Sequence, residues 1–247
     1  MAAETTTDRL HQMKLSTMAR AYRGQMEDRE LSDLSFDERF AMLVDAEFDA
    51  RRLNRRTRLL RSAGFSCPQA NIKNIRYDAD RAIDRELITT LSTCAYILDA
   101  ENVVLTGSTG AGKSWLACAL GVAACYQFYS VRYIRLPDLL DELALSHHLD
   151  TYRKLRKRYS ICDVLILDDW LLSPLSDTQA REVLEVIESR YARKSTILCS
   201  QFSPAGWHTR LSEGAIADAV IDRLVHNAYM VHVEGNESMR KRTSNIG

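Results

Sequence analysis

Eight consecutive residues near the middle of the chain have the types and spacing to hold a polyphosphate: Gly107, Ser108, Thr109, Gly110, Ala111, Gly112, Lys113 and Ser114. They satisfy the Walker A pattern G-x-x-x-x-G-K-[ST]. Glycine tolerates positive φ and lets backbone approach a ligand closely, so successive N–H groups can turn inward as an anion-binding nest. The positive end of the following helix dipole points to the same place. Lys113 is placed to reach the β- and γ-phosphates of ATP, and Ser114 to bind the Mg²⁺ that bridges them. Trp115, next in line, is counted with the nucleotide-binding residues. A glycine-rich turn that binds nothing would share the composition, but not the apolar run Val103-Val104-Leu105 before it together with the helical pattern Leu116, Ala117, Ala119, Leu120, Ala123, Ala124 after it.

A second stretch, Val164-Leu165-Ile166-Leu167-Asp168-Asp169, is four apolar residues followed by two acids. On a buried strand the first carboxylate emerges at the carboxyl end of a sheet, where ligands of α/β proteins sit. Asp168 is then the metal acid and Asp169 the group that polarises the attacking water, which makes the pair a Walker B strand. Taken alone, the same run fits a strand ending in a solvated turn. Ser200-Gln201 follows the apolar run Thr196 to Cys199, and Gln201 is the candidate to orient the water or sense the γ-phosphate, against an ordinary polar strand end. Arg223 is either an arginine finger supplied to a neighbouring subunit or the salt-bridge partner of a nearby acid. Arg240 either approaches phosphate in cis or belongs to a basic tail, 240–242, that touches DNA or is disordered.

The elements that must position these groups follow from the hydrophobic pattern. From Asn102 onward, strands at Val103–Thr106, Val131–Ile134, Val164–Leu167 and Thr196–Cys199 alternate with helices at Lys113–Tyr126, around Leu139–Leu143, after Ser176, and from Ile216 to Ala228. Continuous apolar strands alternating with helices predict an α/β fold with a parallel sheet covered on both faces. Before it, a helical pattern through Ile83, Leu87, Ile88, Leu91 and Ala95 forms a connector.

The N-terminal part is different. Leu10, Met13, Met18 and Tyr22 approximate one helical face with Asp8 as a cap. Ser35-Phe36-Asp37-Glu38 is a capping-box signature opening a longer helix with Phe36, Phe40, Leu43, Val44 and Phe48 on one face. That helix is acidic first and basic last: Arg51, Arg52, Arg55, Arg56, Arg58 and Arg61 place six arginines in eleven residues, with no lysine. A solvated amphipathic helix would suit the dipole as well. Arginine in this density suits bidentate phosphate contact, and Arg51, Arg52, Arg55, Arg56 and Arg58 are the candidate DNA-binding residues. Gly64 and Pro68 mark a break, so the expected domains are 1–66, helical, and 67–247, nucleotide-binding.

Bulk properties limit the alternatives. Lys plus Arg and Asp plus Glu both total 33, so any nucleic-acid surface must be local. The six cysteines form no C-x-x-C pair, which argues against a zinc site or a disulfide frame and fits a reducing compartment. No apolar run approaches the ~20 residues of a membrane span, and residues 1–8 lack the apolar core of a signal peptide, so a cytoplasmic protein is expected.

The runs G-S-T-G-A-G-K-S, L-I-L-D-D-W (Leu165 to Trp170), S-Q-F-S-P-A-G-W-H (Ser200 to His208), A-D-A-V-I-D-R-L-V-H-N-A (Ala217 to Ala228) and E-S-M-R-K (Glu237 to Lys241) resemble IstB, the ATP-binding helper encoded beside the transposase of one class of insertion sequences. IstB is similar to the DnaC helicase loader, and both are AAA+ ATPases. The resemblance implies an AAA+ core behind a small all-α DNA-binding domain, ATP hydrolysis with Mg²⁺, homo-oligomeric self-assembly on double-stranded DNA, and recruitment or stimulation of a partner transposase in transposition and DNA recombination. Carried across by motif, Gln201 is the sensor-1 position, Arg223 the arginine finger and Arg240 sensor 2. Two positions depart from the pattern: the second Walker B acid is Asp169 where many AAA+ proteins have glutamate, and Leu171 stands where a glycine is expected. Competing readings are a DnaC-type helicase loader, a small-molecule P-loop kinase, and a DNA-binding scaffold with ATP as a structural ligand. The chain has no N-K-x-D base-reading motif of a GTPase.

Overall fold

The computed structural model describes residues 2–77, 82–212 and 214–234. Two compact units divide the chain, Met1–Arg58 and Leu59–Gly247. The division falls inside a helix, eight residues ahead of position 66, because Leu59, Leu60 and Ala63 pack into the second unit's hydrophobic cluster.

The first unit holds α1 (Ala2–Gln12), α2 (Ser16–Glu27) and most of α3 (Phe36–Ala63). The single helical face expected through Leu10 and Tyr22 is broken between α1 and α2, where Lys14 takes a left-handed φ of 60°, and Asp8 lies within α1 instead of capping it. The N-terminus of α2 is capped from α3: Glu47 Oε2 accepts from the backbone N–H groups of Thr17 and Met18, both at 3.0 Å. Glu47 Oε1 accepts from Arg51 Nε at 2.8 Å, and these donors hold the Glu47 carboxyl below the usual glutamate range. The capping box at the start of α3 forms as expected, with Ser35 N donating to Glu38 Oε2 at 2.8 Å and Glu38 N to Ser35 Oγ at 3.3 Å. Of the expected apolar face only Leu43 is buried. Phe36, Phe40, Val44 and Phe48 are exposed.

In the second unit, α4 (Arg85–Ser92) begins at an Asp84 cap, and α5 (Ala95–Leu98) follows a left-handed Cys94, so the connector is two short helices. Five parallel strands come next: β1 (Asn102–Thr106), β2 (Val131–Arg135), β3 (Val164–Trp170), β4 (Ser195–Ser200) and β5 (Ala228–His232), in the order β2-β3-β4-β1-β5. The last strand was not expected. The apolar pattern predicts helix to Ala228, but helix α10 (Ala215–Val225) stops three residues earlier, and the short run from Ala228 pairs with β1 in register Asn102↔Ala228.

Side-chain alternation assigns each strand to two cores. Val103, Leu105, Val164, Ile166, Ile197 and Cys199 face a cluster containing Leu116, Ala117 and Leu120 of α6 (Lys113–Tyr126). Val104, Leu165, Leu167 and Leu198 face the opposite cluster, built with α7 (Leu136–His148), α9 (Asp177–Arg190) and α10. Both faces of the sheet are therefore dry, which explains continuous apolar strands. The basic stretch before β3 is a helix, α8 (Tyr152–Ile161), anchored by buried Tyr159.

Candidate nucleotide site

The loop from β1 to α6 is shaped by glycine at two places. At Gly107, φ is 148° and an added Cβ would lie 2.0 Å from the Val233 carbonyl oxygen, so no side chain fits. At Gly112, φ is 96° at the N-cap of α6. Lys113 is buried, and its ammonium donates to the carbonyl oxygens of Gly107 and Ser108, both at 2.8 Å. Burial holds the Lys113 pKa below its ordinary value, opposed by Cys199, Asp168 and Asp169. Lysine and both Walker B acids thus meet at the carboxyl ends of β1 and β3.

Around those acids the sheet is irregular. The β3–β4 register runs through Leu167↔Leu198 and resumes at Trp170↔Ser200, so one extra residue is accommodated in β3 between them. Asp169, inside this bulge, has φ 52°, and Leu171 beyond it has φ 54°. Leu171 therefore adopts the left-handed backbone for which a glycine was expected, and its side chain is fully buried. Arg210 supports the turn by donating to the carbonyls of Leu171 and Leu172 at 3.3 and 3.1 Å, with its guanidinium 3.7 Å above the Phe202 ring.

Each acid is held by one residue of β2. Tyr133 Oη donates to Asp168 Oδ2 at 2.6 Å, while Asp169 N donates to Asp168 Oδ1 at 2.9 Å. Arg135 Nε donates to Asp169 Oδ2 at 2.7 Å. Sequence reasoning missed Tyr133 and Arg135. The available signal was their two-residue spacing, which places both on one face of the strand neighbouring Walker B.

The remaining candidates are scattered. Gln201 is exposed just past the end of β4, whereas Ser200 before it is buried and engaged: its Oγ accepts from Phe202 N at 3.1 Å and Trp207 Nε1 at 3.0 Å. Arg223 pairs with Glu188 of α9 and donates to the Ala219 carbonyl at 2.9 Å. Its backbone carbonyl accepts from Asn102, at the start of β1, so Arg223 sits at the end of the sheet opposite its own phosphate loop. Arg240 lies outside the described residues. On α3, Arg51 is bound to Glu47 and to the Lys14 carbonyl at 2.9 Å, and Arg52, Arg55 and Arg58 are exposed, with Arg52 5.4 Å above the Phe48 ring.

The family model described as IstB-like ATP binding protein matches residues 8–246. The chain belongs to this family. Among relatives, y4pL of Sinorhizobium fredii, provisionally named an insertion sequence ATP-binding protein, is 38% identical over 98% of each chain. A protein of insertion sequence IS1162 from Pseudomonas fluorescens, provisionally named in the same way, is 40% identical over 81% of this chain and 87% of its own. Among solved structures, the DnaC helicase loader aligns with TM-score 0.59 at 20% identity, covering 67% of this chain and 97% of that one. AMPPCP-bound DnaA from Aquifex aeolicus aligns with TM-score 0.58 at 22% identity, covering 70% and 52%. The fold is that of a P-loop AAA+ protein.

The donor set of this IstB-like chain fits Mg²⁺. A hydroxyl at Ser114 and a carboxylate at Asp168 are hard oxygen ligands, and Mg²⁺ is commonly bound by one or two such groups plus phosphates and water. Among the described residues no cluster of three or more His, Cys, Asp or Glu forms a separate protein cage. No helix among them is long and apolar enough to cross a membrane.

Proposed function

We propose that the chain is an ATP-hydrolysing AAA+ protein that assembles on double-stranded DNA and recruits or stimulates a partner transposase. The observation that carries this reading is the convergence of Lys113, Asp168 and Asp169 at one end of the parallel sheet. The backbone N–H groups from Ser108 to Gly112 would cradle the phosphates, and Lys113 would leave its two loop carbonyls for the β- and γ-phosphates. Ser114 and Asp168 would hold Mg²⁺, which supplies charge neutralisation of the phosphates. Asp169, once released by Arg135, would polarise the attacking water, with Gln201 orienting it.

Arg223 faces away from its own phosphate loop, which supports a role in trans at a neighbour's nucleotide, with ATP joining copies of the chain. The arginines of α3 supply the DNA grip, and relatives named for insertion sequences support a transposase as the partner. A second reading, a helicase loader, is favoured by the alignment that covers almost all of the DnaC chain.

The test is phosphate release with and without duplex DNA, together with nucleotide binding by Asp169→Asn. DNA-stimulated turnover, abolished in the variant while ATP binding persists, is expected. Turnover that ignores DNA, or an unaffected variant, would remove this reading. Stimulation by a replicative helicase in place of a transposase would select the loader. Replacing Arg55 and Arg58 with alanine, and sparing Arg51 for its Glu47 contact, is expected to weaken DNA binding and flatten its salt dependence.

A further inference from the structure

Along α3 the row Phe36, Phe40, Val44 and Phe48 is left uncovered, its members 71%, 51%, 41% and 55% exposed. The side of α3 that does pack holds Leu43 and the Glu47 that caps α2, so the row is a separate face. Its members stand four residues apart, which lines them into one ridge along about 18 Å of helix. Phe36 and Phe40 stack with ring centroids 5.9 Å apart, and Arg52 closes the far end 5.4 Å above the Phe48 ring. Single exposed apolar residues are ordinary on a protein surface, whereas a continuous apolar ridge marks an interaction site.

The charges on either side of the ridge indicate what it meets. The lead-in, residues 27–38, carries Glu27, Asp28, Glu30, Asp33, Asp37 and Glu38 against a single arginine, and all six acids are exposed. Beyond the ridge, residues 51–61 carry six arginines and no acid. The order acid, aromatic, base is complementary to itself read backwards. Two copies of α3 laid antiparallel, ridge on ridge, set Phe36 of each against Phe48 of the other and bring each acidic lead-in toward the other's arginines. Laid parallel, they would set acid on acid and base on base.

We propose that this ridge of α3 is a homodimer interface, on which a second copy of the chain docks antiparallel through the same ridge. The contact needs no nucleotide and is separate from the joining of copies by ATP, so either can fail without the other. A two-fold axis uses every residue twice, and each aromatic side chain lost is lost at two places. Ridges of this spacing interdigitate with helix axes about 50° apart, so the charged ends diverge and attract across a gap. Such attraction is screened beyond about 8 Å at physiological salt. The arginines and acids thus set the direction of pairing, and the apolar ridge supplies the affinity.

The experiment is sedimentation velocity of the full chain, free of nucleotide and DNA, over a range of protein concentrations at low and high salt. It compares the parent, Phe40→Gln with Val44→Gln, and Asp33→Lys with Asp37→Lys. The parent is expected to form a dimer. The first variant is expected to weaken dimerisation at least about tenfold, because burial of one phenylalanine is worth that much. The charge-reversed variant should weaken it by less at low salt, and its difference from the parent should close at high salt. All four positions are exposed, and circular dichroism equal to the parent's checks that both variants fold. Should the Phe40 variant unfold, Phe36→Gln, at the most exposed position of the ridge, takes its place. A parent that stays monomeric at about 100 μM, hence with a Kd no tighter than that, would overturn the proposal. So would a dimer that the replacements at Phe40 and Val44 leave intact, since the contact would then lie elsewhere. A dimer that Asp33→Lys with Asp37→Lys leaves unchanged or tightens at low salt would overturn the antiparallel arrangement.

Discussion

The two ends of the sheet each bury a cation, and they satisfy it differently. At the amino-terminal end Arg190 is 1% exposed; the Asp163 carboxylate acts on its charge, but among the described residues no carboxylate is bonded to it. Its guanidinium donates to the carbonyls of Tyr159 at 2.6 Å and Cys162 at 3.0 Å, to Thr196 Oγ1 at 3.1 Å, and to the Ser195 carbonyl. These acceptors belong to α8, the approach to β3, and the start of β4, so one residue closes several chain ends at once. At the carboxyl-terminal end Lys113 has two acceptors, both carbonyls of its own loop. The first arrangement has no stronger partner to wait for. The second can be exchanged for phosphate, since charge-assisted bonds to an anion exceed bonds to neutral carbonyls. The contrast separates a charge satisfied by several chain segments from one satisfied by its own loop alone, which under the proposed function is the one that turns to a phosphate.

The sharpest way to break this contrast is Arg190→Met, which leaves buried carbonyls unpaired and is expected to cost about 3 kcal/mol or more, read as a large fall in the thermal unfolding midpoint. A midpoint within a degree of the parent's would show that Arg190 does not hold the floor. Lys113→Ala should do the reverse: an unfolding midpoint close to the parent's, with ATP binding weakened by about 1.5–3 kcal/mol, the worth of a hydrogen bond to a charged group. Titration calorimetry and melting on the same samples separate the two effects.

Glu47→Gln is expected to destabilise the N-terminal unit by about 1–2 kcal/mol, as a lost helix cap does, measured by circular dichroism of the full chain. Because the Glu47 pKa is depressed in the folded state, its contribution is fully present above the unfolded glutamate value of about 4.3 and is lost as pH falls through the folded value. The glutamine variant should therefore match the parent only under acid. Smallest is Arg135→Ala: half-exposed, this ion pair with Asp169 should change stability by less than about 1 kcal/mol. A larger loss would make Arg135 a structural cation like Arg190.

Much of the nucleotide site was legible because its parts are local. A glycine loop between an apolar run and a helix, and two acids closing an apolar run, can be read without knowing which strands are neighbours. For Tyr133 and Arg135 the two-residue spacing marks a shared face and no more, since their role depends on β2 lying beside β3, a pairing set by the crossover and not by either strand's composition. The strand at Ala228 was hidden for a related reason: five residues gain strand geometry only by adding to the edge of β1. The expected apolar face of α3 followed helical periodicity correctly in spacing, yet only Leu43 is covered, because periodicity describes a face and not what lies against it. Leu171 shows the opposite limit, a left-handed position occupied by leucine because burial and the Arg210 contacts outweigh the local steric cost.

The chain has three tryptophans, and all of them border the phosphate loop or the Walker B turn. Trp115 follows Ser114, Trp170 follows Asp169 in the bulge, and Trp207 meets Trp170 edge to face with ring centroids 5.7 Å apart. Tryptophan emission, excited at wavelengths that tyrosine does not absorb, is therefore an optical gauge of that corner, and the N-terminal helices, whose aromatic residues include Tyr22 but no tryptophan, do not contribute to it.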